Sequence, residues 1–310
     1  SISRNSAYPT ALPAESFGGG SFQVNIWRGS LGTPQSNDFF VTSLGRLRHE
    51  AKTVAQTVTI TPEGYQMPFY SNAITAWNAT LYNKVVIEGL VSVPSNNVID
   101  HGATYTLKNP PDPPPPLDTS EYDRLIGYAA AAGGPATNGS IQLNGGSLYI
   151  RGDLNLSTVT GSGVIVASGT VNFGQGSTVD SGVTIIAGGS LIFGQGASIS
   201  SNGLFYASTG VEFKQGGVVI DNSALLTPGT IVAKQSFDFK GIMYSGLSLE
   251  IKQGANITGV VVSGGGDLAM NTEVDLKNGV HVVYSTAVLP PTPPPGLGGV
   301  AMFRKDWQEG

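Results

Sequence analysis

The sequence predicts an all-β protein built on a parallel β-helix, and three observations carry that expectation. The phrase Phe173-Gly-Gln-Gly176 returns as Phe193-Gly-Gln-Gly196 and again as Phe213-Lys-Gln-Gly216, each twenty residues after the last. A fixed period in the twenties marks a solenoid, because each repeat buries its apolar face only against neighbouring coils. Within each repeat the apolar residues fall two apart, which is the period of a strand and not of a helix. Glycine, 43 residues of the 310, supplies the left-handed corners between short strands.

Aligning the three best repeats produces five columns. Ile165, Ile185 and Phe205 form the first, and Ala167, Ala187 and Ala207 the second. Val171, Leu191 and Val211 form the third, Phe173, Phe193 and Phe213 the fourth, and Val179, Ile199 and Val219 the fifth. Three short strands per coil follow. A left-handed β-helix is built on hexapeptides, and a coil of about 20 residues suits the looser right-handed form better. Beyond residue 219 the pattern loosens. Ile231, Ala233, Phe237 and Phe239 are expected to occupy the first four columns, which makes 220–230 a protruding loop and 239–251 a shortened coil. Met243, Ser245, Leu249, Ile251 and Ile257 then restart the five columns, and Leu268, Met270, Val274, Leu276 and Val282 close them.

Five segments follow along the sequence. Residues 1–20 are a polar linker without an apolar core such as a signal peptide carries. Residues 21–108 alternate as a small antiparallel β region (Phe22, Val24 and Ile26, then Phe39 to Val41, then Val54 to Ile60), with a first degenerate coil over 68–93. Residues 109–139 hold the stiff run Asn109-Pro-Pro-Asp-Pro-Pro-Pro-Pro116. One short helix follows it, acidic in its first turn, with Leu125, Tyr128 and Ala129 on its apolar face. Residues 140–288 are the β-helix. Residues 289–310 are a second proline-rich linker and a tail whose Phe303 and Trp307 are expected to dock, capping the open C-terminal end of the β-helix or joining a neighbouring subunit.

Composition limits function. Only 12% of residues are charged, against about a quarter in ordinary soluble domains, and Gly, Ser, Thr and Asn carry the polar surface. A net charge of −5 opposes nucleic-acid binding, which calls for a basic stripe. No apolar run of membrane-spanning length occurs. The absence of cysteine rules out disulfides, thiolate metal sites and cysteine nucleophiles.

Catalysis on a β-helix needs carboxylates, or a calcium site with a basic partner, converging on one face. Asp153, Asp180, Asp221, Asp238, Asp267 and Asp275 are scattered in register, with Asp180 after the third wall and Asp238 on the second. His49, His101 and His281 lack ligand spacing. No catalytic, cofactor or metal residues are therefore expected. Gln175, Gln195 and Gln215 stand one coil apart, close enough for an amide ladder. Lys214, Lys252 and Lys277 precede that corner position and read as a solvated edge, with a basic ligand-binding strip as the alternative.

Several segments resemble the pilus-assembly (PilX-like) β-solenoid proteins of type IV pilus systems. Phe39-Phe-Val-Thr-Ser-Leu-Gly-Arg-Leu-Arg-His-Glu-Ala-Lys-Thr-Val54 looks like that family's strand, Ser-x-Gly turn and strand. Leu117-Asp-Thr-Ser-Glu-Tyr122 looks like its acidic helix, and Ser147 to Leu156 with Gly163 to Ala167 like its first coils. The Asp306-Trp-Gln-Glu309 ending is similar as well. The family's pilin-like N-terminal helix has no counterpart here. The resemblance implies a non-enzymatic structural or adhesive solenoid, exported to the bacterial surface. Its partners would be other copies of itself or pilus and filament subunits, or surface glycans. The alternative is a carbohydrate-active β-helix enzyme or a glycan-binding module.

Overall fold

The computed structural model describes residues 67–297, apart from 137, 200–201, 215, 253, 265–272, 278 and 291–292, together with strand backbone between residues 10 and 59. Residues 1–63 with 301–310 form one unit and residues 64–300 another. In the first, Gly20–Arg28 pairs antiparallel with Asp38–Leu47, which pairs antiparallel with Glu50–Thr59. This is the small antiparallel region that the alternation predicts. Ser43-Leu-Gly45, expected as a turn, lies instead inside the second of these strands, opposite Val54 to Lys52.

The second unit is a parallel β-solenoid of about nine coils. Each coil has three walls, here A, B and C. On wall A, residues 163–167 pair with 183–187, which pair with 204–207. On wall B, 171–173 pair with 191–193 and these with 211–213. On wall C, 178–179 pair with 198–199. The five expected columns are all present over these coils, except that Ile220 and not Val219 points inward. Ser198 pairs with Val219, so the Gly216-Gly217 corner holds one extra residue, and Gly217 takes it at φ +80°.

Phe193 is fully buried. Its ring stacks on Phe173 at 4.6 Å and on Phe213 at 5.0 Å. The stack continues through Phe237 at 4.6 Å from Phe213, although Ala233 is the backbone partner of Phe213. A small residue on wall B thus makes room for a ring entering from wall C, which conserves core volume.

Beyond residue 219 the expected register is corrected. Residues 220–230 are not a protruding loop: Val218–Thr227 is one continuous strand running from wall C to wall A. Leu225 takes the first column against Phe205, and Ile231 and Ala233 take the third and fourth against Val211 and Phe213. Phe239 falls in the fifth, against Ile220. The following coils keep full strands at Phe237–Ser245, Leu249–Ile251 and Asn256–Ser263. The corners shorten while the ladder stays intact. From Met243 to Ile257 the predicted columns hold, and Val274, Leu276 and Val282 are in place, but Val261 and Ser263 take the first two columns of that last coil against Met243 and Ser245. Leu268 and Met270, expected there, lie outside the described residues.

The coil that comes first in sequence is last in space. Ile74 pairs with Val261, Ala79 with Val274, Leu81 with Leu276 and Ile87 with Val282. Val98 and Thr104 then add a further turn against Ala79 and Val86. The end of the last regular coil is therefore covered by residues 74–92, and not left open for the tail. Phe303 and Trp307 lie outside the described residues.

The polypeptide returns along wall A. Val166, Ile186, Tyr206, Leu226, Tyr244 and Val262 face away from the core, yet all are buried, because a second layer covers them. Over the early coils that layer is the helix Ser120–Ala132, which buries Tyr122, Leu125 and Ala129. Tyr122 stacks on Tyr206 at 3.9 Å and donates its hydroxyl to the Pro295 carbonyl at 2.8 Å. Tyr128, expected on the buried face, is half-buried and packs edge-on against Tyr149. Over the later coils the cover is the proline segment, whose Pro115 carbonyl accepts the Tyr244 hydroxyl at 2.8 Å. Burial pushes the Tyr206 phenol up to about 12.

Asp112 pins the proline segment. Its carboxylate pairs with Lys108 and accepts the Asn72 amide at 2.9 Å, and its backbone exchanges hydrogen bonds with Ser92 Oγ. Burial alone would raise its pKa, but the bonds from Lys108 and Asn72 outweigh that and hold it below the usual carboxylate value.

Two outcomes are expected. Phe193→Ala should cost about 3–5 kcal/mol of unfolding free energy, because it opens a cavity inside a ring stack. Denaturant titration checks it, and a loss under about 1 kcal/mol would mean that the column collapses freely. In the terminal coil, Asp100 accepts the Ala103 amide at 2.9 Å and the Gly102 amide at 2.8 Å, and these bonds lower its pKa. A depressed folded pKa stabilises above the ordinary Asp value and stops doing so as pH falls through the folded value. The amide shifts of Gly102 and Ala103 should titrate together below the ordinary Asp range, and Asp100→Asn should abolish that titration.

Candidate ligand-binding face

With wall A covered, walls B and C and their shared corner remain as the outer surface of the body. On wall C each coil carries a triplet whose middle residue points inward and whose outer two point out. Val159, Val179 and Ile199 are buried, and Thr160, Thr178 and Ser198 beside them are exposed. Register aligns Ser140 with Thr158, Thr158 with Thr178, and Thr178 with Ser198. Hydroxyls therefore stand in a row, about 4.8 Å from rung to rung. A second row holds Gln142 beside Thr160, with Asp180 next. Asp180 turns toward backbone, accepting the Gly161 amide at 2.9 Å.

Around the corner, wall B presents Asn155, Asn172 and Ile192 in one row. The corner itself is the repeated Phe-Gly-Gln-Gly. Gly176 and Gly196 both sit at φ +67° with open space where a side chain would project, so backbone conformation and not crowding requires glycine there. Gln175 and Gln195 are exposed at this corner, and the Gly176 amide donates to the Gln195 carbonyl at 2.8 Å. Gln215 lies outside the described residues.

A change of chemistry occurs at one coil in every row. On wall B, Ile192 is followed by Glu212, with Glu250 and Asp275 further along. At the corner, Gly174 and Gly194 give way to Lys214, Lys234, Lys252 and Lys277. On wall C, Ser198 is followed by Val219, Asp238, Asn256 and His281. Apart from Asp180, whose carboxylate is bound to the Gly161 amide, the outward rows of the early coils are thus neutral and those of the later ones charged.

The charged half is mutually neutralised. Lys234 pairs with Glu212 at 2.5 Å, Lys240 with Asp221 at 2.8 Å, and Lys252 with Glu250 at 3.4 Å. Lys277 reaches both Asp275 at 2.9 Å and Glu250 at 3.4 Å. Those two carboxylates keep the Lys277 ammonium above its usual pKa, the Asp275 hydrogen bond contributing most. Three members of the lysine row, Lys234, Lys252 and Lys277, are therefore ion-paired.

Among the described residues, Asp180 and Asp238 do not form a pair of catalytic spacing. Asp238 belongs to wall C and not to the second wall, so it shares a face with Asp180. Three rungs separate the two, about 14 Å, beyond the span over which two carboxylates cleave a glycosidic bond. Asp238 accepts the Asn256 amide at 2.7 Å, and Asp153 caps the Thr170 amide at 2.7 Å. His281 meets Glu88 at 2.8 Å, and His101 packs on Tyr82. His49 and Asp267 lie outside the described residues. Among the described residues no three His, Asp or Glu side chains gather as metal ligands, and no helix is long and apolar enough to cross a membrane.

The hydroxyl rows escaped the sequence reading, although their signal was present. Thr158-Val-Thr160, Thr178-Val-Asp180 and Ser198-Ile-Ser200 recur at the coil period. Attention to the inward column concealed the outward one.

The fold and surface define a helix-backed β-solenoid with one neutral, hydroxyl-bearing quarter. No protein-family model matches the chain, and no curated protein sequence matches it. Among solved structures it is similar to an ice-binding protein from an Antarctic Biological Consortium, at 16% identity and TM-score 0.32, covering 74% of this chain and 94% of that one. It is also similar to the DUF3494 domain of Shewanella frigidimarina ice-binding protein 1, at 16% identity and TM-score 0.35, covering 73% and 98%. The pilus-assembly resemblance is corrected by these matches, which are to ice-binding and not pilus proteins. Of the segments that carried it, those at 39–47, 50–54, 147–151 and 163–167 are strand and Ser120 to Tyr122 begin the helix, whereas Asp306 to Glu309 lie outside the described residues.

The ion-paired edge generates a stability expectation. Lys234→Ala should change unfolding free energy by less than about 1 kcal/mol, since both partners are partly exposed. High salt should shrink that difference further. A larger, salt-insensitive loss would show that the pair does more than neutralise the edge.

Proposed function

We propose that this protein is a non-enzymatic, exported ice-binding β-solenoid, with the neutral quarter of walls B and C as its binding face. The single observation that carries the reading is the wall C hydroxyl row through Ser140, Thr158, Thr178 and Ser198, with Thr160 beside it. It repeats at about 4.8 Å, close to a lattice repeat of ice, the distance between next-nearest water oxygens. A hydroxyl can join an ordered water layer, and the threonine methyl beside it leaves that layer without a competing partner. Each such contact is weak, so a rigid plane must present many at once.

Charge explains the boundary. An ion holds its own hydration shell and resists sharing water with a lattice, so a face built for ice excludes lysine and glutamate. The early coils carry no outward lysine or glutamate on these two walls or at the corner between them, and their one outward carboxylate on wall C, Asp180, is engaged by the Gly161 amide. The two solved structures bear the same ligand in their titles, but the proposal rests on this face and not on them. A glycan-binding module would want aromatic platforms, and among the described residues none faces outward on the neutral quarter. Trp77 and Tyr82 belong to the terminal coil at the other end.

Thermal hysteresis and ice-recrystallisation inhibition test the reading. Thr178→Lys, in the middle of the hydroxyl row, is expected to abolish most of the activity, and Asn172→Lys to reduce it, with the circular dichroism of the body unchanged. Lys240→Ala, on the charged half, should leave it intact. A wild-type protein that alters neither ice growth nor recrystallisation would overturn the proposal.

A further inference from the structure

We propose that Asn144 is a site of spontaneous deamidation that adds a charge to the first coil of the neutral face. Four Asn-Gly pairs occur in the sequence, at 138–139, 144–145, 202–203 and 278–279. This pairing favours attack by the glycine backbone nitrogen on the amide carbon of the preceding asparagine, because glycine offers no steric obstruction. The new bond from that nitrogen to Cγ closes a succinimide as the Cγ–Nδ2 bond breaks, and the amide leaves as ammonia. Water then opens the ring at either carbonyl, leaving aspartate or isoaspartate.

The fold distinguishes the pairs. At Asn202 the reaction is restrained, since the Gly203 amide donates to Ser223 Oγ at 3.2 Å and the Asn202 backbone is bound to the Asn222 carbonyl at 3.1 Å. At Asn138 the side-chain oxygen accepts both the backbone and side-chain amides of Asn155, at 3.0 and 3.2 Å, which hold the carbonyl in place. Asn278 lies outside the described residues. Asn144 has neither restraint. Its side chain is exposed, and the ladder register breaks after it, passing from Asn144 to Ser147 without pairing Gly145 or Gly146. Gly145 sits at φ +77° in that break. The attacking nitrogen therefore lies at a break in the register, where the backbone is not held by a continuous ladder on both sides.

Position gives the reaction a consequence. Ser140, Gln142 and Asn144 alternate as exposed residues with the buried Ile141 and Leu143, so Asn144 extends the outward side of the first coil. Its conversion adds one negative charge to a face otherwise free of mobile carboxylates. The effect on ice rests on the proposed function; the chemistry does not.

The test is to age the full-length protein in warm, mildly alkaline buffer and map its peptides for amide-to-acid conversion and isoaspartate. Asn144 should convert ahead of Asn138 and Asn202, and Asn144→Gln should prevent conversion at that position over the same interval. Conversion at Asn138 or Asn202 with Asn144 intact, or no conversion at all, would overturn the proposal. In a second arm, Asn144→Asp should show several-fold weaker recrystallisation inhibition than fresh wild type. Equal activity would remove the functional consequence. If fresh wild type has no ice activity, the ice-binding reading falls while the mapping result still decides the site.

Discussion

Everything in this molecule depends on coil-to-coil register. A single coil cannot bury its own apolar side chains, so each column becomes a core only when the next coil repeats it at the same height. The stack of Phe173, Phe193, Phe213 and Phe237 shows how strict the demand is. Where Ala233 interrupts the column, a ring from the next wall fills the volume, and the ladder accommodates the change by shortening its corners. The same register carries outward: a row of hydroxyls on wall C is flat and evenly spaced because Val159, Val179 and Ile199 beneath it are locked in place.

Register also requires closure at the ends, and the polypeptide meets that need by discontinuity. The first coil in sequence pairs with the last regular one, so the exposed ladder beyond Val282 is covered by the protein's own backbone. The cost is a long return path, and the first proline-rich segment and the helix supply it. Three tyrosine hydroxyls fasten this second layer to backbone carbonyls: Tyr122 to Pro295, Tyr70 to Leu297 and Tyr244 to Pro115. A parallel solenoid thereby gains a covered wall on one side without losing the two that face water.

The legible part of the fold was the part dictated by inward columns. Period, strand spacing and the buried phenylalanines follow from local repetition, and the antiparallel strands and short helix follow from alternation and capping. What failed was anything that depended on which coil meets which. Residues 220–230 look like a loop only because Val219 was placed inward. One extra residue at Gly216-Gly217 reverses every side chain after it, as expected for a structure of period two. The terminal placement of residues 74–92 cannot be read locally, since its columns match any coil equally well. The hydroxyl face was legible in principle. Thr-Val-Thr and Ser-Ile-Ser recur at the coil period, but outward residues carry no packing constraint that makes them stand out against a background rich in Ser and Thr.

The neutral coils are also the coils backed by the helix. Ile126 approaches Gly188, where even a methyl group would collide with both it and the Ser168 carbonyl, and the helix ends its cover with Tyr122 flat on Tyr206, in the coil where the first charges, Glu212 and Lys214, appear. Wall A is therefore tightly filled behind the rungs whose other walls carry hydroxyls and amides. The charged coils have the proline segment behind them instead, and cross-rung ion pairs on their outer faces. Under the proposed ice-binding reading a rigid backing matters, because any bending of the rungs would spoil the spacing of the groups they present. Ion pairs tolerate such bending, since long lysine side chains adjust to it. The division between neutral and charged rows on the outside thus lies near the division between helix and proline cover on the inside, which falls where the returning backbone turns from extended to helical at Ser120.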